Sequence, residues 1–318
     1  MHFTTQIPIS KSLNPIDYKS KIISLGSCFA ENMGSKFQYF KLQSETNLFG
    51  IIFNSASIEK IIERVVREKE FTEEDIFYHN EQWHCYDIHS DLSNSNKELF
   101  LEDLNQILKS MTQQLIDSSH IIITYGTSWV YRNTEKNSIV ANCHKVPQKQ
   151  FTKELLSIDT IEKSIQNTID LIGKINLNCT IIFTISPVRH LKDGFVENQR
   201  SKSHLITAIH NIIKTEHYKL NTEYFPSYEI MMDELRDYRF YNADMLHPNQ
   251  VAIDYIWERF AATTITEATH ETMEFIATIQ KSLQHRPFNP GSESHQKFEA
   301  NLHTKIAKMV SQYSFMKF

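Results

Sequence analysis

The hydrophobic positions of this chain alternate between short unbroken apolar runs and longer stretches with helical spacing. The runs predict buried strands at Lys21–Leu25, His120–Thr124, Cys179–Ser186 and Thr222–Met232. The spacing predicts amphipathic helices after Phe29 and at Ile58–Glu70, Leu99–Leu115, Leu155–Gly173, Ser203–His217 and Pro248–Phe260. Such alternation is typical of a parallel sheet with helices on both faces. We therefore predict a doubly wound α/β fold.

The pattern changes beyond Ala261, where only helices are predicted. Glu267–Leu283 and His295–Tyr313 have helical spacing, and the turn-rich segment HRPFNPGSES separates them. We therefore expect an α/β domain over residues 1–264 and a helical extension over residues 265–318 that packs on the same body.

Composition narrows the function classes. The 318 residues carry a formal charge of −5, which argues against a nucleic-acid partner. Only seven glycines are present, so a glycine-rich phosphate loop is not expected, and we predict no cofactor. The first ten residues, MHFTTQIPIS, lack the pattern of a signal peptide, and no apolar run reaches the roughly 20 residues that cross a bilayer. We expect a soluble cytoplasmic protein with no membrane partner.

Four cysteines, at positions 28, 85, 143 and 179, lie far apart without CxxC spacing. Neither a disulfide framework nor a zinc site follows from that arrangement. The neighbours His84-Cys85 and Cys143-His144 suggest metal ligands, but adjacent residues of an extended segment point to opposite faces. We therefore expect no metal site.

Candidate chemistry lies where the predicted strands end, because open parallel sheets bind ligands at the carboxyl ends of their strands. The segments there are Gly26–Phe29, Gly126–Trp129, Ser186–His190 and Asp244–His247. Cys28 would sit in the first turn of a helix, whose free N–H groups favour a thiolate. A buried structural cysteine is the alternative. Ser27 is a second candidate nucleophile, although a serine here can simply cap the helix.

The pair Asp244 and His247 precedes the helix predicted at Pro248–Phe260. Three-residue spacing lets a carboxylate hold the imidazole Nδ1, which leaves the other ring nitrogen free as a general base. The alternative is a loop aspartate that caps the helix beside a solvated histidine.

The order of these blocks resembles the SGNH (GDSL-like) hydrolase superfamily, in which a nucleophile follows the first strand and DxxH precedes the last helix. GSCFA, the motif that names the GSCFA family of bacterial proteins, is intact at Gly26–Ala30. Further stretches that resemble the family are NLFGIIFN at Asn47–Asn54, YGTSWVY at Tyr125–Tyr131, NCHKVP at Asn142–Pro147, SPVRH at Ser186–His190 and DYRFYNADMLHP at Asp237–Pro248. The resemblance spans about residues 20 to 290 and implies a flavodoxin-like three-layer α/β/α sandwich.

The resemblance also implies roles. Cys28 aligns with the superfamily's nucleophilic serine, and Ser27 aligns with its aspartate; a shift by one residue returns the role to Ser27. His247 would be the general base and Asp244 would orient it. The N–H groups of Cys28 and Gly50, with Ser128 in place of the superfamily's asparagine, would form the oxyanion hole. Asn54 is an alternative oxyanion donor.

Four further residues are candidates for substrate binding. Arg189 and His190 follow the third apolar strand, where Arg189 either clamps an anionic group or pairs with a structural carboxylate. His89 and His144 would line the pocket from loops. The expected activity is that of an esterase or O-acyltransferase on a carbohydrate or other small hydroxylated substrate. The alternatives are a catalytically inactive module that binds a glycan or acyl ligand, and a structural subunit whose helical tail docks a partner.

Overall fold

The computed structural model describes residues 5–214 and 220–318, and its centre is a parallel sheet. The strands are β1 (Lys21–Gly26), β2 (Gln43–Thr46), β3 (Ile76–His79), β4 (Gln82–Cys85), β5 (His120–Tyr125), β6 (Trp129–Asn133), β7 (Ser138–Val140), β8 (Phe151–Leu155), β9 (Thr180–Ile185) and β10 (Asn221–Phe225). The central sheet has the order β10-β9-β5-β1-β2 with all pairs parallel. Two small antiparallel sheets, β3-β4 and β7-β6-β8, lie outside it.

Helices connect the strands of the central sheet. They are α1 (Cys28–Tyr39), α2 (Ser55–Val66), α3 (Lys97–Asp117), α4 (Ile158–Ile175), α5 (Phe195–Ile213), the short α6 (Ser227–Glu229), α7 (Gln250–Thr264), α8 (Glu267–Leu283) and α9 (Glu293–Gln312). Within residues 5–214 and 220–318, none of these helices is long and apolar enough to span a membrane.

Alternating side chains of the central strands fill two separate cores. Ile23, Ile121 and Phe183 face the core formed with α2, α3, α4 and α5. Ile22 and Ile122 face the opposite core, which holds side chains of α1, α7 and α8. Because both faces bury apolar side chains, the strands have no polar face and are read from the sequence as unbroken runs. The prediction of a parallel sheet covered on both sides is confirmed.

The last predicted strand is too long. Thr222–Met232 was expected to be extended, but β10 ends at Phe225 and helical turns follow Pro226. These turns bury the consecutive residues Ile230 and Met231 on the α7 side of the sheet. A run of apolar residues therefore marks burial here without marking a strand.

Several helix bounds also differ from the prediction; the helix expected at Ile58–Glu70, for example, runs from Ser55 to Val66. The helix expected at Leu155–Gly173 begins at Ile158 after the cap Ser157, because the preceding residues pair with β6 as β8. The helix expected at Ser203–His217 already begins at Phe195. Its expected end falls among residues 215–219, which lie outside the described residues, as do the first four residues of the amino-terminal segment.

The C-terminal helices α8 and α9 agree closely with the predicted ones. Met309 of α9 and Met316 beyond it are buried in the core shared with α1 and α7. Gln280 donates a hydrogen bond to the Tyr39 carbonyl at 2.9 Å, and the rings of Tyr313 and Tyr18 are 4.9 Å apart. The extension is thus packed against the α/β body.

Candidate active site

The turn between β1 and α1 depends on Gly26. Its φ is +137°, and a Cβ there would lie 2.1 Å from the Thr124 carbonyl oxygen of β5, so only glycine fits. The Gly26 N–H donates to Asn47 Oδ1 at 2.9 Å, which ties the turn to the loop after β2. The chain passes directly from β1 into α1 and places Cys28 at the first helical position.

Ser27 is the N-cap of α1. Its hydroxyl accepts a hydrogen bond from the Phe29 N–H at 3.3 Å, and its own N–H donates to the Thr124 carbonyl at 3.0 Å. The side chain is only 2% exposed. The capping role considered for this serine is therefore the one that the geometry supports.

Cys28 is a free, half-buried thiol. Burial raises its pKa above the ordinary value, and the nearby Glu31 carboxylate raises it further. Lys202 and the N–H groups of Cys28 and Phe29 act in the opposite sense. The helix N-terminus thus favours the thiolate as expected, but burial outweighs it, so the net direction differs from that expectation. A nucleophilic Cys28 needs a base to take its proton.

Asp244 and His247 form a hydrogen-bonded pair before α7. Asp244 Oδ1 accepts the N–H groups of Leu246 (2.8 Å) and His247 (3.0 Å), and Oδ2 accepts His247 Nδ1–H at 2.6 Å. The backbone N–H of His247, that of Leu246 and then the imidazole lower the pKa of Asp244 to about 2. An ionised carboxylate can only accept, so it fixes the proton on Nδ1 and leaves Nε2 as the acceptor.

Arg189 holds the loop that carries this pair. Its N–H donates to the Leu246 carbonyl at 3.1 Å, and its guanidinium donates to the Met245 carbonyl. The guanidinium carbon lies 4.6 Å from the centre of the Tyr241 ring and 5.3 Å from that of Tyr238. The carboxylate expected as an alternative partner is replaced by a backbone carbonyl, and the buried Nε has no partner within the described part of the chain.

His190 lies against the end of β5. A Cβ at Gly126 would be 3.3 Å from its Nε2, and its ring centre is 6.0 Å from that of Phe53. Burial, and then the charges of Lys202 and His247, together lower the pKa of His190 to about 3. The imidazole is therefore neutral near pH 7, and its buried Nε2 has no hydrogen-bond partner among residues 5–214 and 220–318.

The predicted segments meet at one edge of the sheet. β1, β5 and β9 are parallel neighbours, so Cys28, Gly126 and Ser186 all follow carboxyl ends on the same side. The hydrogen bond between Arg189 and Leu246 brings the Asp244–His247 loop to this edge. An arrangement of thiol, imidazole and carboxylate at one edge is suited to nucleophilic acyl chemistry.

Two predicted oxyanion donors, the N–H of Gly50 and the side chain of Ser128, form hydrogen bonds within the fold. The Gly50 N–H donates to the Asn47 carbonyl at 2.6 Å within a turn. Ser128 is 1% exposed; its hydroxyl donates to the Ser201 carbonyl and its N–H donates to Ser201 Oγ, both at 2.7 Å. Both groups stabilise loops of the fold, so neither is free to bind a developing oxyanion.

Asn54 remains available as a donor. Its Oδ1 caps α2 by accepting the Ser57 N–H at 2.8 Å, whereas its Nδ2 makes no hydrogen bond to the protein within the described ranges. The preceding Phe53 carbonyl accepts the Gly126 N–H at 2.7 Å, which places Asn54 beside the end of β5.

Two further histidines were predicted to bind substrate. His89 lies beside Gly50, because its N–H donates to the carbonyl of the preceding residue, Phe49, at 3.0 Å. His144 is 4% exposed and its Nε2 pairs with the Cys85 carbonyl at 2.7 Å, so this ring nitrogen is already bonded within the fold. Burial lowers the pKa of His144 to about 4.

In residues 5–214 and 220–318, no group of three or more potential ligands is arranged to hold a metal ion.

Sequence reasoning missed Lys202, which is 1% exposed. The available signal was its position on the apolar face of α5, three residues before Leu205 and seven before Ile209. A lysine at a core position of an amphipathic helix is unusual unless a specific group pairs with it.

Comparison with known proteins supports the family resemblance. The model described as "GSCFA family" matches residues 21–260, and that described as "GSCFA domain protein, C-terminal domain" matches residues 276–318. Among solved structures, a carbohydrate esterase family 3 protein from Talaromyces cellulolyticus is similar over 81% of this chain and 99% of its own, at 8% identity and a TM-score of 0.37. No curated protein matches the chain significantly.

Proposed function

The chain belongs to the GSCFA family, and from this premise we propose that it is an esterase or O-acyltransferase that works through an acyl-enzyme on Cys28. One observation carries the proposal. Asp244 Oδ2 and His247 Nδ1 are 2.6 Å apart, and Arg189 holds the loop of this pair at the edge of the sheet where Cys28 begins α1. This is the set of groups that nucleophilic catalysis requires: a nucleophile, a base and a group that orients the base.

In the first half-reaction, His247 Nε2 accepts the proton of the Cys28 thiol. The thiolate adds to the carbonyl carbon of an ester, and a C–S bond forms. The tetrahedral intermediate then expels the alkoxide, which takes the proton back from His247 and leaves as an alcohol. Cys28 is left as a thioester, while Asp244 keeps the imidazole oriented and compensates its positive charge.

In the second half-reaction, a water molecule or a sugar hydroxyl attacks the thioester. His247 accepts the proton of the attacking oxygen, the C–S bond breaks, and the proton returns to Cys28. Attack by water makes the protein an esterase, and attack by a hydroxyl makes it an O-acyltransferase. A thioester is a suitable intermediate for transfer because a hydroxyl can attack it readily.

The oxyanion is bound by donors that the fold leaves free. We assign this role to the N–H of Cys28 and to the Nδ2 of Asn54, which keeps its Oδ1 for the cap of α2. The unpartnered Nε2 of the neutral His190 imidazole donates a further hydrogen bond in the tautomer that carries the proton on that nitrogen. Donors fixed before the reaction stabilise the developing charge without reorganisation.

A carbohydrate is the substrate class that the surroundings favour. A cavity of about 240 Å³ adjoins the His247 loop, and its lining includes Arg189, Tyr238 and Tyr241. Tyr238 is 59% exposed, so its ring is free to stack on a sugar. The proposed partners are therefore small or glycan esters.

The second candidate is a module that binds a glycan or acyl ligand without turning it over. The commitment of the Gly50 and Ser128 donors to the fold favours it. Turnover of p-nitrophenyl acetate separates the two functions, with the melting temperature as the control for folding. Loss of turnover in both Cys28→Ala and His247→Ala supports the enzyme. Undiminished turnover in both variants refutes the proposed residues, and a wild-type protein that is inert but binds glycans is the binding module.

A further inference from the structure

The cavity beside the His247 loop holds two guanidinium groups. Arg189 and Arg236 both line it, and the other lining side chains are Asp237, Tyr238, Tyr241, Met231 and Met232. Its volume of about 240 Å³ is smaller than the roughly 300–1,000 Å³ of pockets that hold drug-sized ligands. The cavity therefore suits a single small unit, such as one sugar ring, with a group that two arginines can bind.

Arg189 is fixed by its neighbours but keeps donor capacity. Its backbone N–H donates to the Leu246 carbonyl at 3.1 Å, and its Nη2 donates to the Met245 carbonyl. The guanidinium carbon lies 4.6 Å from the centre of the Tyr241 ring. Nη1 has no hydrogen-bond partner within the described part of the chain. Because the side chain is already ordered, binding an anion there costs little side-chain entropy.

Arg236 is exposed and unpaired. Its guanidinium forms no hydrogen bond, ion pair or ring contact with residues 5–214 and 220–318. A solvated arginine by itself indicates no ligand, but this one shares its cavity with Arg189. Two like charges that line one small cavity repel each other, and an anion bound between them relieves that repulsion.

The carboxylates around the cavity already have partners or lie apart from its arginines. Asp237 lines the cavity, but its Oδ1 accepts the Arg239 N–H at 2.9 Å and its Oδ2 lies 3.8 Å from Arg239 Nε. Asp233, on the preceding turn, forms no ion pair with any residue of the described ranges, and Asp244 holds His247. The cavity thus keeps an excess of positive charge, which favours an anionic ligand.

We propose that this cavity binds a sugar that carries a carboxylate, so that the substrate is an O-acyl ester of an acidic sugar. The planar guanidinium of Arg189 donates to the carboxylate, and Arg236 supplies a second positive charge. The inference rests on the proposed function in taking an ester of a sugar as the substrate, but its test measures binding and does not require turnover.

Two other arrangements compete with this one. The carboxylate could belong to the acyl group instead of the sugar, or the arginines could stabilise the loop and bind nothing. We place the carboxylate on the sugar because Tyr238 is 59% exposed in the same cavity, and a ring face of this kind packs on a sugar ring.

The test compares two ligands that differ at one carbon. Methyl β-D-glucuronide has a carboxylate where methyl β-D-glucoside has a hydroxymethyl group, and methyl hydrogen succinate represents an acidic acyl group. Their dissociation constants are measured by calorimetry or NMR titration at low ionic strength. The variants are Arg236→Gln, Arg236→Glu and Asp237→Asn. Arg67→Gln, which removes an exposed arginine at the end of α2, is the matched control.

The readout is the ratio of the affinities for glucuronide and glucoside. We expect the wild type to bind the glucuronide about ten-fold more tightly, a size typical of hydrogen bonds to a charged group. Arg236→Gln should lower this ratio by about two- to five-fold, as for an exposed ion pair, and Arg236→Glu should lower it further. Asp237→Asn should raise the ratio by removing a like charge, and Arg67→Gln should keep the wild-type ratio.

Three results overturn the proposal. They are equal affinity of the wild type for the two glycosides, no binding of either, and a ratio that Arg236→Glu leaves unchanged. Tight binding of methyl hydrogen succinate, weakened in Arg236→Glu, without a preference for the glucuronide would assign the carboxylate to the acyl group and also contradict it. A preference for the glucuronide that depends on Arg236, together with no turnover of acetylated methyl glucuronide by the wild type, would uphold this inference and reject the proposed enzyme.

Discussion

Asp244 engages His247 through both carboxylate oxygens, since Oδ1 accepts the His247 N–H at 3.0 Å and Oδ2 accepts Nδ1–H at 2.6 Å. The same carboxylate therefore fixes the backbone and the ring of one residue. Such a contact sets the tautomer of the imidazole as well as its position, and catalysis by Nε2 depends on both.

The first prediction concerns this contact. Asp244→Asn should lower kcat by about 10²- to 10⁴-fold, because the amide can present an N–H to Nδ1 and favour the wrong tautomer. Steady-state turnover of an activated ester measures the loss. Asp117→Asn is the matched control. It removes an ion pair with Lys21, the first residue of β1, and should retain full kcat. Equal kcat in Asp244→Asn and wild type would exclude a catalytic role for the pair.

The second prediction separates Ser27 from Cys28. Ser27→Ala should lower the free energy of unfolding by about 1 kcal/mol, because α1 loses its cap, and should keep Cys28 reactive. Cys28→Ala should keep the cap and lose the acyl-enzyme. Urea unfolding and turnover together test the assignment. An inactive Ser27→Ala beside an active Cys28→Ala would move the nucleophile to Ser27.

The third prediction concerns pH. Burial and then Glu31 raise the pKa of Cys28, so the reactive thiolate is lost as pH falls below that raised value. Removing the carboxylate with Glu31→Gln should lower the pKa of Cys28. Alkylation of Cys28 at neutral pH should then be about two- to five-fold faster, a size typical of the effect of an exposed charge. Iodoacetamide kinetics across the pH range measure the change. An alkylation profile that coincides with that of the wild type would contradict the assigned role of Glu31.

The fourth prediction tests the reassigned oxyanion donors. Asn54→Ser keeps a side-chain oxygen for the cap of α2 but removes Nδ2, so kcat should fall by about 10²- to 10³-fold while the protein stays folded. Ser128→Ala should lower the free energy of unfolding, because the Ser201 carbonyl loses its donor, with little change in kcat. The reverse result, with kcat lost only in Ser128→Ala, would restore the role expected from the superfamily.

The fifth prediction concerns the turn before Cys28. Gly26→Ala should destabilise the protein by about 2–4 kcal/mol, because φ is +137° and the added carbon meets the Thr124 carbonyl oxygen. Gly173→Ala in α4 is the matched control, since an added Cβ there would contact only flexible leucine side chains, the nearest being Leu220 at 3.4 Å. It should be neutral or stabilising by up to about 1 kcal/mol. Equal melting temperatures for the two variants would contradict the strained turn.

Much of the fold was predictable because both faces of the sheet are buried. β1, β5 and β9 carry apolar side chains in both directions and stand out in the sequence. The edge strand β2, with the sequence QSET, was missed because it has no buried residue and no apolar pattern. Its hydrogen bonds to β1 define it, and hydrogen bonding by the backbone leaves little trace in composition.

The order of the site residues along the chain was predictable from the sequence. Which groups are free to donate a hydrogen bond to an oxyanion was not. The Asp244–His247 contact follows from three-residue spacing, which is a local property. Whether Ser128 or Gly50 is free depends on which distant residue it meets, and for Ser128 that residue is Ser201 of α5. The burial of Lys202 depends in the same way on two strand ends that the topology brings together, because their carbonyls accept hydrogen bonds from its Nζ.

The most direct test of the account is to trap the acyl group on the protein. The wild type is mixed with p-nitrophenyl acetate, quenched in acid and digested, and the peptide that spans residues 27 and 28 is fragmented. We predict the mass of one acetyl group on Cys28, labile to hydroxylamine, absent in Cys28→Ala and slow to form in His247→Gln. An acetyl group on Ser27, or none above the level in Cys28→Ala, would contradict the account.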